Sequence, residues 1–313
     1  MKNISVIICA YTEKRWGNLV EAIESVQKQT LPPQEVIVVI DHNPSLYNQT
    51  RDFFPNINVI ENKYVAGSSG ARNCGAEEAH GEILAFIDDD AVASNDWLSH
   101  LVEGYQDSSV MGIGGRIIPK WERARPRWFP DEFDWVVGCT YRGTPEIRMP
   151  VRNLILCNMS IRRETFNAIG GFRTNIGHRG GAPNGDEETE LCIRAHQQWP
   201  HLKFIYEPTA VVLHHVPEAR ATTKYFFWRC FLEGNSKAGL SELVGTNDSL
   251  SSERKYAIQT LPLGVLRGIW DTIIHLDLTG LARSGLILTG LATTTWGYLR
   301  RKMFAKRLQE IRA

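Results

Sequence analysis

The chain has 313 residues, of which 43% are hydrophobic and 22% charged, a composition typical of a folded globular protein. Lysine plus arginine and aspartate plus glutamate both number 35, so the formal net charge is zero. This balance argues against a dedicated nucleic-acid-binding protein, and the length allows one large α/β domain with an extension or two domains.

Strand and helix patterns alternate over the first hundred residues. Short apolar runs predict four strands: ISVIICA, EVIVVI, INVIEN and EILAFID. The segments NLVEAIESVQKQ and SSGARNCGAEEAHG between them show helical spacing or helix-capping residues. Buried strands separated by helices predict a parallel sheet covered on both faces, and ligands of such sheets bind beyond the carboxyl ends of the strands.

Polar side chains follow three of these strands at the point where each ends. Tyr11 and Glu13 follow the first strand, Asp41 follows the second, and Asp88–Asp90 follow the fourth. Three adjacent carboxylates repel one another and are costly to desolvate unless a cation binds them, and hard divalent cations take oxygen ligands. Taken alone, the acidic motif could be a solvated turn. The shared edge of the sheet favours a binding site instead.

The second half of the chain begins with an unusual segment. Residues 119–150 are rich in Trp, Arg and Pro without helix or strand periodicity, which indicates either a functional surface or aromatic side chains packed on the core. A strand then runs into a helix in LILCNMSIRRETFNAIGGF, an acidic stretch opens a helix in GDEETELCIRAHQQ, and the strand KFIYEPTAVVLHH ends at His214 and His215.

From about residue 219 the pattern is helical to the end of the sequence. Residues 284–299 carry no charge, but this run is shorter than the roughly 18 to 20 apolar residues that span a bilayer. The following RRKMFAKRLQEIR has six basic residues against one acidic residue. This order suits the surface of an anionic membrane, whereas a helical subdomain docked on the core with a solvated basic end is the alternative.

The cysteines and the N-terminus bear on location. The six cysteines are scattered without a CxxC pair, which predicts buried thiols in a reducing compartment. The N-terminal MKNISVIICAYT enters a strand directly and is too lightly charged for a secretory signal. We therefore expect a cytoplasmic protein, which a membrane-binding C-terminus would bring to the inner face of the plasma membrane.

Six motifs, in order, carry a family resemblance: VIICAYTE, Asp41, GSSGARNCGA, FIDDDA, NMSIRRETFNAIGGF and GDEETELCIRA. Together they resemble the inverting glycosyltransferases of the GT-A fold, of the family 2 type that includes bacterial polysaccharide enzymes, over roughly residues 3–240. The resemblance implies a Rossmann-like α/β fold with a mixed, mostly parallel sheet. It also implies a catalytic domain at 1–218 and a C-terminal helical region at 219–313.

The resemblance implies transfer of a sugar from a nucleotide-diphosphate sugar, expected to be UDP-linked, to a hydroxyl of a saccharide or lipid-linked saccharide. Asp90 and His214 would hold Mn²⁺ or Mg²⁺, which would neutralise the departing diphosphate. Asp88 would accept from the ribose, Asp41 from the base, and Arg72 would donate to phosphate or base. The full set expected to bind the nucleotide sugar is Ala10, Tyr11, Glu13, Asp41, Gly70, Arg72, Asp88 and Asp89.

The second acidic cluster is expected to supply the general base that deprotonates the acceptor hydroxyl. Glu188 occupies the position of the base in the family, where Asp is usual, and its longer side chain leaves Glu187, and after it Asp186, as alternatives. A helix N-terminus would keep such a carboxylate ionised. Two other functions stay open on sequence alone: a nucleotidyltransferase that makes sugar nucleotides, and a non-catalytic carbohydrate-binding protein.

Overall fold

The computed structural model describes residues 3–177 and 185–312, with the side chains of the last helix described up to residue 306. Nine strands lie within these residues: β1 (Ile4–Ala10), β2 (Glu35–Ile40), β3 (Asn58–Glu61), β4 (Ile83–Asp88), β5 (Ala91–Ala93), β6 (Val110–Trp121), β7 (Met149–Val151), β8 (Asn158–Arg162) and β9 (Lys203–Val216). They form one sheet in the order β3-β2-β1-β4-β8-β6-β9-β5, and β7 pairs with β9.

The sheet is mixed, as the family resemblance implies. Strands β3, β2, β1 and β4 run parallel, which confirms the interpretation of the first four apolar runs. From β8 onward the pairings β4–β8, β6–β8, β5–β9 and β7–β9 are antiparallel. The parallel half therefore brings three strand ends together, and the antiparallel half carries β9 and its histidines back to the same region of the sheet.

Six α-helices accompany these strands: α1 (Trp16–Gln27), α2 (Pro44–Phe53), α3 (Ser68–Glu78), α4 (Trp97–Gly104), α5 (Arg163–Ala168) and α6 (Glu187–Gln198). Helix α3 packs closely on β1 and β2, because a Cβ at Gly75 would lie only 2.6 Å from a methyl group of Ile7 and 2.9 Å from one of Val39. This close packing fixes the start of α3, and with it Arg72, relative to the strand ends.

The chain divides into two compact units: residues 1–118 with 145–215, and residues 119–144 with 216–313. The second unit holds helices α7 (Thr223–Val244), α8 (Thr246–Ser249), α9 (Ser251–Lys255), α10 (Leu261–Ile274) and α11 (Thr279–Arg312). The predicted helical C-terminal region is thus present. The predicted division at residue 218 stays a prediction, and residues 119–144 cluster with the helices rather than with the sheet.

Aromatic side chains organise the second unit. The ring of Phe226 on α7 lies 5.6 Å from Phe129 and 5.1 Å from Phe133, and all three side chains are buried. Residues 119–150 had two interpretations, a functional surface or packed aromatic side chains. The second interpretation holds for Phe129 and Phe133. Among the described residues, no helix combines the length and the apolar character needed to cross a bilayer.

Candidate functional site

The strand register places the predicted site residues at one edge of the sheet. Cys9 of β1 is in register with Asp88 of β4, and Ala10 is in register with Ile40 of β2. Tyr11 and Asp41 are therefore the next residues beyond two neighbouring strand ends, and the acidic motif continues the third. The sequence-based expectation that these side chains share an edge agrees with this register.

The acidic motif is embedded in a charged network. Asp89 and Asp90 are buried, whereas the Asp88 side chain is 30% exposed. Arg15 Nη1 lies 2.8 Å from Asp89 Oδ1 and 3.2 Å from Asp90 Oδ2, and His214 Nε2 lies 3.2 Å from Asp90 Oδ1. The motif is therefore a built site of paired charges rather than a solvated turn.

Burial raises the pKa of the Asp89 carboxyl, against the attraction of Arg15 and together with repulsion from Asp90 and Asp88. Asp89 Oδ2 is buried and has no hydrogen-bond partner among the described residues. Burying Asp89 and Asp90 next to a third carboxylate costs free energy that additional positive charge would offset. The site is thus suited to a cation beyond the arginine that it already contains.

Donor atoms for a metal ion converge at this edge. Ligand atoms of Asp88, Cys157 and His214 lie within 4.8 Å of one another, and Asp90 contacts the same histidine. Carboxylate oxygens suit Mg²⁺ and Mn²⁺, and histidine is a common metal ligand, so these residues fit the predicted divalent ion. The thiol of Cys157 is a soft ligand that neither ion prefers, so the carboxylates and the histidine suit such an ion better than the thiol does.

Arg72 links the two acidic clusters. Its Nη2 lies 2.8 Å from Asp88 Oδ1, its Nη1 lies 3.3 Å from Glu187 Oε1, and its side chain is only 11% exposed. Ser68 Oγ donates to the same Glu187 oxygen at 3.1 Å. A guanidinium has five N–H donors, so Arg72 can hold both carboxylates and still donate to an anionic ligand.

Asp41 fixes the loop that leads to α3. Its Oδ1 accepts from Asn62 Nδ2 at 2.7 Å, and its Oδ2 accepts from the backbone N–H of Gly67 at 2.8 Å. A carboxylate has about four acceptor sites, so these bonds are compatible with the predicted contact to a base. At Gly70, a Cβ would come within 2.8 Å of the carbonyl oxygen of Val65, so the loop requires glycine there.

The remaining predicted nucleotide-binding residues lie at the rim. Tyr11 is 56% exposed, and the guanidinium carbon of Arg15 lies 5.4 Å from its ring centroid. Glu13 accepts from Asn43 Nδ2 at 2.9 Å on the surface. Ala10 is buried at the end of β1. An exposed aromatic ring beside a cation can stack on a planar base.

The second acidic cluster opens α6. Asp186 precedes the helix with a φ of +76°, a conformation that Asp tolerates better than most residues. Glu187 is 3% exposed and Glu188 is half-buried, both in the first turn. Glu190 is fully buried and pairs with Arg173 at 2.7 Å and Arg194 at 2.8 Å, so it has a structural role. The residues before Gly185, from 178 to 184, lie outside the described residues.

Two residues at the site were not anticipated from the sequence. Arg15, five residues after β1, reaches carboxylates 74 and 75 positions away in the sequence, and Cys157 lies just before β8. Only the basic pair in TEKRWGN after the first strand hinted at Arg15. The thiol of Cys157 resembles the other scattered cysteines, so the sequence offers no signal for its position.

Comparisons with known proteins establish the family. The profile described as Glycosyl transferase family 2 matches residues 5–170, more than half of the chain. The chain belongs to glycosyl transferase family 2. The resemblance inferred from the six motifs is therefore confirmed, and the protein is a glycosyltransferase.

Two proteins that are similar in sequence are named for glycosyl transfer or for polysaccharide synthesis. The glucosyl-dolichyl phosphate glucuronosyltransferase of Haloferax volcanii is 36% identical over 238 residues, which are 75% of this chain and 76% of that protein. The succinoglycan biosynthesis protein ExoM of Rhizobium meliloti is 26% identical over 315 aligned positions, covering 97% of this chain and 89% of that protein. Proteins named for glycoconjugate or polysaccharide synthesis are thus similar along most of this chain.

A solved structure supports the fold. The mannosyltransferase PcManGT of Pyrobaculum calidifontis, in complex with GDP-Man and Mn²⁺, matches with a TM-score of 0.61 over 95% of this chain and 87% of its own. Its sequence identity is 15%, so the likeness shows the GT-A fold alone. The predicted fold class is confirmed.

Proposed function

We propose that this family 2 enzyme transfers one sugar from a uridine diphosphate sugar to a hydroxyl of a lipid-linked saccharide, with inversion, at the inner face of the cytoplasmic membrane. The observation that carries the proposal is the position of Arg72. It contacts Asp88 of the first acidic cluster and Glu187 of the second, so the two clusters belong to one site. Inverting transfer needs two such groups, one for the leaving diphosphate and one for the attacking hydroxyl.

The first cluster would hold the diphosphate end of the donor. Asp90 and His214 would hold Mn²⁺ or Mg²⁺, which when bound supplies positive charge to the departing diphosphate. Asp88, which the sequence assigned to the ribose, lies close enough to His214 to join them as a ligand. Arg72 would turn a guanidinium N–H toward a phosphate oxygen, which suits its planar donor geometry. Arg15 already offsets part of the negative charge of Asp89 and Asp90, so the donor meets a cluster that is partly compensated.

The neighbouring strand ends would hold the nucleoside. Asp41 has acceptor capacity beyond its two bonds to the loop, and uracil offers one N–H donor for it. The exposed ring of Tyr11 would stack on the base. Glu13, the main chain at Ala10 and the tight loop around Gly70 would line the same pocket.

The second cluster would hold the acceptor. Glu188 lies half-buried in the first turn of α6, where the positive end of the helix dipole favours the ionised carboxylate. Glu187 is already tied to Arg72 and Ser68 through one oxygen, which suits a positioning role better than proton transfer. We therefore assign the general base to Glu188, with Glu187 holding Arg72 in place.

The acceptor class rests on a relative. The Haloferax protein is named for glucosyl-dolichyl phosphate, a sugar carried on a lipid, and it aligns with three quarters of this chain. A lipid-linked saccharide would present its hydroxyl at a membrane surface. The family assignment also favours sugar transfer over the two other functions that the sequence left open, synthesis of sugar nucleotides and non-catalytic binding of carbohydrate.

The test is incubation of the purified protein with a panel of nucleotide sugars and Mn²⁺, followed by measurement of free nucleoside diphosphate and of product configuration by NMR. The proposal expects release from a uridine diphosphate sugar, increased by a lipid-linked acceptor, and a product with the opposite anomeric configuration to the donor. Release only from a guanosine diphosphate sugar would overturn the donor assignment. Retention of configuration would overturn the role given to Glu188.

A further inference from the structure

The outer face of helix α10 is apolar throughout. Leu261, Gly264 and Gly268 face inward and are buried. At 100° per residue, one continuous arc on the opposite side contains every exposed position of the helix. The six largest side chains in this arc are between 37% and 66% exposed: Leu263, Leu266, Ile269, Trp270, Ile273 and Ile274. Helix surfaces that face water are normally polar, whereas this exposed surface is apolar.

The apolar surface continues past the end of α10. Leu276 and Leu278, in the connection to α11, are 83% and 77% exposed. On α11 the outward positions include Leu281, Leu288 and Trp296, each more than half exposed. Exposed apolar patches of this extent mark an interaction surface in a folded protein.

Helices α10 and α11 pack directly against each other on the side opposite the exposed face of α10. At Gly268 a Cβ would lie within 2.4 Å of the carbonyl oxygen of Gly280, so the backbones of α10 and α11 are in direct contact. Ser284 Oγ also donates to the carbonyl oxygen of Val265 across the same contact. The exposed face therefore belongs to a packed helical hairpin and not to a frayed terminus.

Charged side chains, with arginines in excess, line the inner edge of this hairpin. Behind α10 lies a cavity of about 370 Å³, whose charged lining residues are five arginines and three carboxylates: Arg125, Arg127, Arg142, Arg267, Arg283, Asp131, Glu132 and Asp271. Glu132, whose side chain is 5% exposed, pairs with Arg267 at 2.6 Å, while the Arg267 side chain is 40% exposed. The Arg127 side chain is 81% exposed. Each of these arginines pairs with a carboxylate, and five positive charges against three negative ones leave an excess of positive charge beside the apolar face.

A lipid surface fits this combination better than a protein partner. Protein interfaces carry about one hydrogen bond per 100–200 Å², and the only side-chain hydrogen-bonding group in the apolar arc of α10 is the indole N–H of Trp270. Helices that lie in the membrane interface combine an apolar face, Trp residues and basic residues at the polar side. At 14 residues, α10 is about 21 Å long, shorter than the roughly 30 Å hydrocarbon layer, so it would lie along the surface.

We propose that the α10–α11 hairpin seats the protein on a membrane that contains anionic phospholipid. The outer face of α10, with Leu276 and Leu278, enters the region of the lipid chains, and the arginines at the cavity edge meet the phosphate groups. The sequence pointed to residues 284–313, most of which lie in α11, but it did not point to α10 or to the connection between the two helices; the side chains after Lys306 lie outside the described residues. The inference does not depend on the sugar-transfer reaction and is tested without donor or acceptor.

The experiment is flotation of the full chain with vesicles of phosphatidylcholine alone or mixed with phosphatidylglycerol. We expect flotation with the anionic vesicles, weakened by high salt. Each large apolar side chain that leaves water contributes about tenfold to a partition coefficient, so the double variant Trp270→Ser/Ile273→Ser should bind about a hundredfold more weakly. Ile147→Ser, at a position 71% exposed in the other compact unit, is the matched control and should bind like wild type.

Arg127→Gln tests the charge. One basic residue near an anionic surface contributes about fivefold, so this variant should bind anionic vesicles about fivefold more weakly. Far-UV circular dichroism of all variants should match wild type, because the replaced side chains are largely exposed. Absence of flotation, or flotation unchanged by the double variant, would overturn the inference. A wild-type dimer that the double variant dissociates, without vesicle binding, would assign the face to a second copy of the chain.

Discussion

Replacing Glu188 with Gln isolates the proton-transfer step of the proposed reaction. The substitution keeps the length of the side chain and one acceptor oxygen, and it replaces the basic carboxylate with a neutral amide. Positioned proton transfer contributes about 10²- to 10⁴-fold, which corresponds to about 3 to 5.5 kcal/mol in the activation barrier. Glu188 is half-buried and is not the carboxylate that holds Arg72, so we expect donor affinity to change little.

Glu187→Gln is the matched control one residue away, and the structure predicts a different phenotype. Glu187 Oε1 lies 3.3 Å from Arg72 Nη1 and accepts from Ser68 at 3.1 Å, with the side chain 3% exposed. Hydrogen bonds to charged groups contribute about 1.5 to 3 kcal/mol, so the loss of this charge should lower the melting temperature. Donor affinity should fall as well, because Arg72 loses one of its two carboxylate partners.

The assay is turnover measured as free nucleoside diphosphate, with donor affinity measured separately by calorimetry. We expect Glu188→Gln to lose turnover with donor affinity intact, and Glu187→Gln to lose stability and donor affinity. The opposite pattern would mean that Glu187 is the base and that the family register is shifted by one. If both variants kept turnover within about tenfold of wild type, the base would lie outside this cluster.

Two further predictions concern stability. Gly75→Ala should cost about 1–3 kcal/mol of folding stability, because the added Cβ would lie 2.6 Å from a methyl group of Ile7. The control Gly17→Ala on α1 adds a Cβ that meets nothing within 4 Å, so it should be neutral or slightly stabilising. Equal melting temperatures for the two variants would contradict the packing argument. Burial, opposed by Arg125, raises the pKa of Asp134 to about 6, so the folded state binds this proton more tightly than the unfolded state and wild type gains stability from protonation as the pH falls from about 6 to 4. Asp134→Asn lacks this gain, so its melting temperature relative to wild type should be most favourable above pH 6.5 and should decline toward pH 4.5; a constant difference would contradict the assignment.

The parallel half of the sheet could be predicted because each of its strands is visible in a short stretch of sequence. Each of its buried strands is a continuous apolar run that ends in polar residues, and register then brings Asp41 and Asp88 to one edge. The antiparallel half was not, since β6, β8 and β9 mix apolar with polar residues and nothing in such a run shows its direction. Direction is decided by the connections, whose geometry the sequence does not display.

The residues of the candidate site also differ in whether the sequence could predict them. Carboxylates at strand ends can be recognised from the sequence pattern. Arg15 cannot be distinguished from the rest of the 35 lysines and arginines until the fold brings it within 2.8 Å of Asp89. The same holds for α10. Its apolar residues fit a buried helix as well as an exposed one, and only the packing of Gly268 against Gly280 shows that the other side faces out.

The central claim is that the acidic edge of the sheet binds the donor diphosphate through a divalent ion, and calorimetric titration of uridine diphosphate tests it most directly. The titration is run with Mn²⁺ and with EDTA, on wild type and on Asp90→Ala. We predict that wild type binds at least about tenfold more tightly with Mn²⁺ than with EDTA, and that Asp90→Ala loses most of this difference. Equal affinity of wild type in Mn²⁺ and in EDTA would contradict the account.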